Sequence, residues 1–285
     1  MKFGRVWQSI VLALFLCGPA AAHEDLPLFD AHVHYKEPAW GPYPPSSIIE
    51  LFDRTGVAMA LVSSTPDEGT ITLWEYAPAR VVPELRPYHR VWGSRNWTRA
   101  PGILDYIEQR LDRYPHKGIG EFHVHFLDDD DTPLLDAVAR MALARDIPIH
   151  LHSGAKPVAR FFELQPDLTI IWAHSGLGES TGTIRATLER FPNLYADTSL
   201  REWEINGGND IEPEWKEILI RFQDRMMVGS DTWVNGQWDS YETIMADHRR
   251  YLNLLPRDVA EKIAYRNAEK LFGIKVTMDL IGKRK

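Results

Sequence analysis

The chain is nearly without cysteine. It has one, Cys17, in 285 residues. No internal disulfide is open to it, and beyond that position a thiolate is excluded as nucleophile or metal ligand. It has no basic stretch either. Lys and Arg number 32 against 40 Asp and Glu, a formal net charge of −8, so a nucleic-acid partner is not expected. No glycine-rich phosphate loop follows the first strand-like run, which speaks against a doubly wound nucleotide-binding sheet. No linker or internal repeat divides the chain, so a single large domain is expected. Long apolar runs are also missing. The longest, residues 10–17, is too short for a membrane span.

That short run has a context of its own. Lys2 and Arg5 precede it, and Ala20, Ala21 and Ala22 follow it. This is the charged, apolar and small-residue order of a secretory signal peptide. The reading is a signal peptide over residues 1–22 and one domain over 23–285, with a retained N-terminal anchor as the alternative. The mature protein is then secreted, into a periplasm, with no stable membrane span. Cleavage would also remove Cys17, so stability in an oxidising compartment must come from the core.

Within the domain, eight short β-like runs stand at residues 28–34, 57–64, 81–91, 118–126, 148–153, 168–174, 193–198 and 226–230. Between them lie stretches with apolar residues three and four apart, such as GILDYIEQRLDRY and TPLLDAVARMALARD. SSIIELFDRTG reads as a helix opened by a serine cap and closed by Gly56. Strand and helix alternating eight times predicts an α/β fold, a (β/α)8 TIM barrel, with a C-terminal helical extension over residues 240–254 and 256–272. The acidic run 128–131 reads as a solvated loop leading into a helix N-terminus.

Chemistry in such a barrel sits where its strands end. The first run, LFDAHVH, ends in His32 and His34. Side chains alternate along a strand, so the two imidazoles share a face and can grip one metal ion. The fourth run carries Glu121, His123 and His125; the fifth ends in His150 and His152, the sixth in His174, and the eighth run leads into Asp231. Seven of eleven histidines are sorted to such ends.

The pieces FDAHVH, GIGEF, IHLHSG, AHSGLG and VGSD, in that order, resemble the amidohydrolase superfamily and within it the amidohydrolase-related branch. The closing LLPRDVAEKIAYRNAEKLFG is similar to that branch's terminal helix. The resemblance covers roughly residues 29–273. It implies that His32, His34 and His152 are metal ligands. It implies that His174 binds a second metal or positions substrate, and that Asp231 touches the metal or its water and moves the proton. Many relatives bridge two metals with a carboxylated lysine on the fourth strand, where this chain has Glu121. Two roles stay open for it: bridging ligand, or hydrogen-bond partner of a ligand histidine. The donors suit a divalent metal, zinc first, as one or two ions, with manganese, iron or nickel as other choices.

The expected activity is that of a metal-dependent hydrolase in which metal-activated water attacks an amide, ester or lactone carbonyl of a small molecule, with a phosphoryl centre second. One alternative is a single-metal decarboxylase of aromatic or unsaturated carboxylates. A second is a non-catalytic exported metal-binding protein. A homo-oligomer is compatible with either. His150 and Asp30 read as groups packed or hydrogen-bonded behind the ligands, and His123 and His125 as rim contacts. Trp40, Trp92, Trp97, Trp203, Trp233 and Trp238 follow strand ends, and Trp40 and Trp233 are candidates for an aromatic substrate wall. Arg201 is a candidate for a substrate carboxylate or phosphate, as are Arg86, His89 and Arg90. His23 and His116 receive no role.

Overall fold

The computed structural model describes residues 23, 26–89, 91–125 and 129–282. The segment read as a signal peptide and Arg90 lie outside these residues. Eight parallel strands, β1 (Leu28–His34), β2 (Val57–Ser63), β3 (Val81–Pro83), β4 (Ile119–His123), β5 (Ile149–His152), β6 (Ile170–Trp172), β7 (Leu194–Asp197) and β8 (Met226–Met227), follow one another in sequence and in space. They form one sheet of three and one of five. Leu85 bridges Ile119 across one seam. Across the other, Ala31 N donates to Val228 O at 2.9 Å and Asp231 N to His32 O at 2.7 Å. The order is that of a (β/α)8 barrel.

A helix follows every strand. After a single turn at Glu37–Trp40, the first barrel helix, Pro45–Thr55, opens on a proline and ends at Gly56, whose φ of 70° closes it in a left-handed cap. The serines expected to cap it lie inside its first turn, because Pro44 and Pro45 already set the extended-to-helical entry. The eighth, Tyr241–Leu252, packs beside the first, with Phe52 and Tyr241 rings 5.7 Å apart. Strands buried on both faces need apolar residues outward as well as inward. Leu28, Val33, Ile119, Phe122 and Leu151 supply the outward set, packed under the helices.

Of three register slips in the strand ladders, two aim side chains at the C-terminal end. The pairing of β1 with β2 slips between Asp30 and Val33, so β1 carries one residue more than its partner there. The bulge turns His32 and His34 inward and sends Asp30 the other way. Tyr241 donates to the Asp30 Oδ2 at 2.8 Å, and the backbone N of Ser230 to Oδ1 at 2.9 Å. The shared face expected for Asp30 and His32 is therefore lost. A second slip lies between Ile119 and Phe122 in β4. There Gly120 has a φ of 155°, and a Cβ on it would stand 2.4 Å from the His150 carbonyl oxygen. Only glycine lets β4 run this close to β5 and present Glu121 inward.

The third strand is much shorter than expected: its ladder with β2 ends at Pro83, and past the bridge of Leu85 to Ile119 the chain leaves the sheet. Of the expected C-terminal extension, Tyr241–Leu252 is the barrel's own eighth helix and only the helical stretch from Arg257 to Phe272 extends beyond it; Asn267 explains its motif. Its Nδ2 donates to the carbonyls of Gln223 and Met226, both at 2.7 Å, which ties the last helix, Asn267–Phe272, to β8. Behind it, Ala268, Phe272 and Val276 close the N-terminal end of the barrel on Phe29, Met59, Leu61 and Met227.

Candidate metal centre

At the C-terminal end of the barrel, His32 and His34 are fully buried, and their Nε2 atoms stand 3.1 Å apart. The other nitrogen of each ring faces an acceptor. His32 Nδ1 is 3.2 Å from Asp197 Oδ2, and His34 Nδ1 is 2.8 Å from Ser63 Oγ. If both Nδ1 atoms carry the hydrogen, two lone pairs face each other, which is stable only with positive charge between them. Two nitrogens each about 2.0 Å from one ion at a tetrahedral angle stand about 3.3 Å apart, close to this spacing. Asp231 Oδ1 completes the group at 3.5 Å from His32 Nε2 and 3.3 Å from His34 Nε2.

A second group sits beside the first. His152 Nδ1 is 2.6 Å and His174 Nε2 3.5 Å from Glu121 Oε1. Glu121 Oε2 lies 3.2 Å from His34 Nε2. One carboxylate thus turns an oxygen to each group, and His174 Nε2 also approaches Asp231 Oδ2 at 3.8 Å. Glu121, His152 and His174 form one set able to hold a cation, and His32, His34 and Asp231 another. The sequence-predicted ligands all come together here, and their chemistry fits divalent ions.

The backbone at two of these residues is strained. His174 has a φ of 56° and Asp231 a φ of 50°, left-handed conformations that cost a non-glycine residue about 1–2 kcal/mol. Neighbouring bonds hold both in place. Thr232 Oγ1 receives the His34 N–H at 3.0 Å and donates to the His34 carbonyl, zipping the chain after β8 to β1. Arg201 donates to the His174 carbonyl at 3.0 Å and to the Gly176 carbonyl at 2.8 Å.

Beneath the ligands lies a carboxylate that the sequence reading missed. Asp197, at the end of β7, accepts from both His32 Nδ1 and His150 Nε2, each at 3.2 Å, and from the backbone N–H of His174 and Ser199 at 3.2 and 3.0 Å. Ser199 in turn sits 2.8 Å from His174 Nδ1. Asp197 therefore fixes the tautomer of His32 directly and the position of His174 through Ser199. Its signal was its place: an acid closing the seventh run, where chemistry was being sought. His150 lies below the metal layer as expected, its Nδ1 on Glu84 at 3.2 Å.

Electrostatics follow from this crowding. Burial pushes the Glu121 carboxyl up, but hydrogen bonds from His152, His174, His32 and His34 outweigh it and hold it well below the usual range. Burial likewise opposes, and nearby histidines overcome, in Asp231 and Asp197, which are also lowered. His32 is the converse. Burial lowers it, but the charges of Asp197 and Asp231 raise it well above an ordinary histidine. The cluster favours positive charge at the point its donors share.

Above the ligands opens a cavity of about 480 Å³, within the range of small-molecule sites. Glu121, His123, His152 and Asp231 form its floor, and Lys36, Arg86 and Trp233 belong to its walls. Arg86 donates to Glu121 Oε2 at 2.7 Å and to the Glu121 carbonyl at 2.9 Å. His123 stacks on His152 at 4.0 Å, while His125 is exposed. Trp233 reaches the cavity. Trp40 does not: its indole donates to the Tyr35 carbonyl at 2.8 Å and packs against the core. Arg201 is corrected as well. Its guanidinium is buried and spent on the carbonyls of His174, Gly176 and Glu179 and on Glu204, so it shapes the His174 loop and has no donor left for substrate.

A family model described as Amidohydrolase matches residues 29–274. Among solved structures, the chain is similar to a lactonase from Listeria monocytogenes, at 14% identity and a TM-score of 0.59 over 89% of this chain and 97% of that one. It is similar to a phosphotriesterase homology protein from Escherichia coli, at 13% identity and 0.58 over 87% and 99%. A "probable 2-pyrone-4,6-dicarboxylic acid hydrolase" from Acinetobacter baumannii gives 12% identity and 0.59 over 87% and 100%. At these identities the likeness is one of fold. No curated protein matches.

Proposed function

The chain belongs to the amidohydrolase family, and from that premise we propose that it is a two-metal hydrolase of carbonyl compounds, with zinc the first choice of ion. The observation that carries the two-metal reading is Glu121, one oxygen on each histidine group. His32, His34 and Asp231 would hold one ion, His152 and His174 the other, and Glu121 would touch both. The ions, when bound, polarise the carbonyl and bring the pKa of water toward about 7.

The chain's own residues do the rest. Asp231, kept ionised by its histidine neighbours, takes the proton of the attacking water and passes it to the leaving group. The hydrogen bond of its backbone N to the His32 carbonyl aims it across the cavity floor. Ser63 and Asp197 keep the hydrogens of His34 and His32 away from the ligand nitrogens. His174, turned by Ser199, presents Nε2 to the floor. Lactones lead the substrate panel, since two of the similar structures are described as a lactonase and a pyrone dicarboxylic acid hydrolase, with esters and amides next. Residues 1–22 add export to this reading.

The test is elemental metal content of zinc-loaded protein, wild type and Glu121→Gln, with a lactone, ester and amide panel. Two equivalents falling to one, with turnover in the wild type, is the expected result. One equivalent in both, together with carbon dioxide release from an aromatic acid that His32→Ala abolishes, would replace the hydrolase with a single-metal decarboxylase.

A further inference from the structure

We infer that the substrate carries a carboxylate, bound by Lys36 at the cavity wall, and an adjoining apolar or aromatic part set against Trp233. This deepens the hydrolase reading and rests on it. Lys36 stands two residues beyond His34 and shares the cavity with Glu121 and Asp231. Its side chain is half-buried, its Nζ lies 5.8 Å from the Trp233 ring centroid, and it has no carboxylate at ion-pair distance among the described residues.

Arg86 is the contrast. It faces the same cavity, but its guanidinium is tied to Glu121. Asp231 and Glu121 are the carboxylates that share the cavity with Lys36. Both of those carboxylates belong to the proposed ligand set. Once they face divalent ions, the ammonium has no anion to balance it in the cavity. A half-buried charge without a partner is costly, and an anionic substrate group removes that cost. A singly charged carboxylate matches one unpaired cation, whereas a phosphate dianion would ask for a second.

The apolar half follows from the wall beside it. Trp233 is 50% and Leu177 46% exposed, yet both line the cavity, with Leu200 beside them. They offer a ring face and aliphatic surface next to the ammonium.

The test uses phenylacetate and its neutral isostere phenylacetamide, with equilibrium binding measured calorimetrically on zinc-loaded protein. Wild type is expected to prefer phenylacetate. Lys36→Met should lose tenfold or more of the phenylacetate affinity, and Lys36→Arg should recover most of it. Lys156→Met, at an exposed lysine that does not line the cavity, should bind as wild type does, and zinc content should be equal in all four. No preference in wild type, or undiminished phenylacetate binding in Lys36→Met, would overturn the inference and leave carboxylates held by the ions alone. Binding is read without turnover, so the two readings fail separately. A Lys36-dependent preference in a protein that hydrolyses nothing keeps this inference and sinks the hydrolase. Hydrolysis with Lys36-independent binding does the reverse.

Discussion

At one end of the barrel Phe29, Met59, Leu61, Ile171 and Met227 fill the interior and meet Phe272, whose ring stacks on Phe29 at 5.6 Å. At the other end of the same strands, the interior holds the buried His32, His34, Glu121, His150, Asp197 and Asp231 with the half-buried His152. Both ends are dry. The first is held by burial alone, which needs volume and shape but no particular partner. In the second, each nitrogen and oxygen must find a partner or a cation, because an unpaired buried polar group costs more than its bond returns. That is why bulges, a glycine contact and two left-handed residues gather at the polar end: they aim donors. The apolar end has a slip of its own, between Leu28 and Phe29, but it aims no donor, and a terminal helix closes that end.

The largest expected break at the polar end is Asp231→Asn. Loss of the proton acceptor should lower kcat by about 10³-fold or more, roughly 4 kcal/mol, in steady-state kinetics with metal content measured alongside. A similar fall in an apolar-end variant would erase the distinction between the ends. Next comes Phe272→Ala. Removing a buried ring should destabilise the fold by about 3 kcal/mol in urea unfolding while zinc stoichiometry and KM stay as in the wild type. Loss of metal in this variant would mean that the two ends are coupled. The smallest of the three is Asp197→Asn, which frees the tautomers of His32 and His150. Metal affinity measured against a competing chelator should fall by about 10–100-fold. Combined with Phe272→Ala, its effect on unfolding should add to within about 0.5 kcal/mol, since the two residues share no partner.

Much of this contrast was legible before any coordinates. The eight runs lie where the strands lie, and the ligand candidates His32, His34, Glu121, His152, His174 and Asp231 meet on one floor. The reason is physical: a two-residue period decides which face a strand side chain takes, and a barrel gathers strand ends in one place. Where the period broke, the reading broke with it. The bulge in β1 took Asp30 to Tyr241, and β3 left the sheet after Leu85. Trp40 and Arg201 misled because residue type announces what a side chain can do, not whether its donors are already taken. Asp197 went unread although it ends a strand, since an acid there is informative only once His32 and His150 are seen on its two sides.

By itself, then, the order of residues determined the barrel, the metal-binding inventory and the strands that carry it. The position of Glu121 between the two histidine groups, the work of Asp197, the commitment of Arg201 and the lack of an ion-pair partner for Lys36 among the described residues were decided by the tertiary structure. Each depends on distances between residues tens of positions apart, and local propensity carries no record of them.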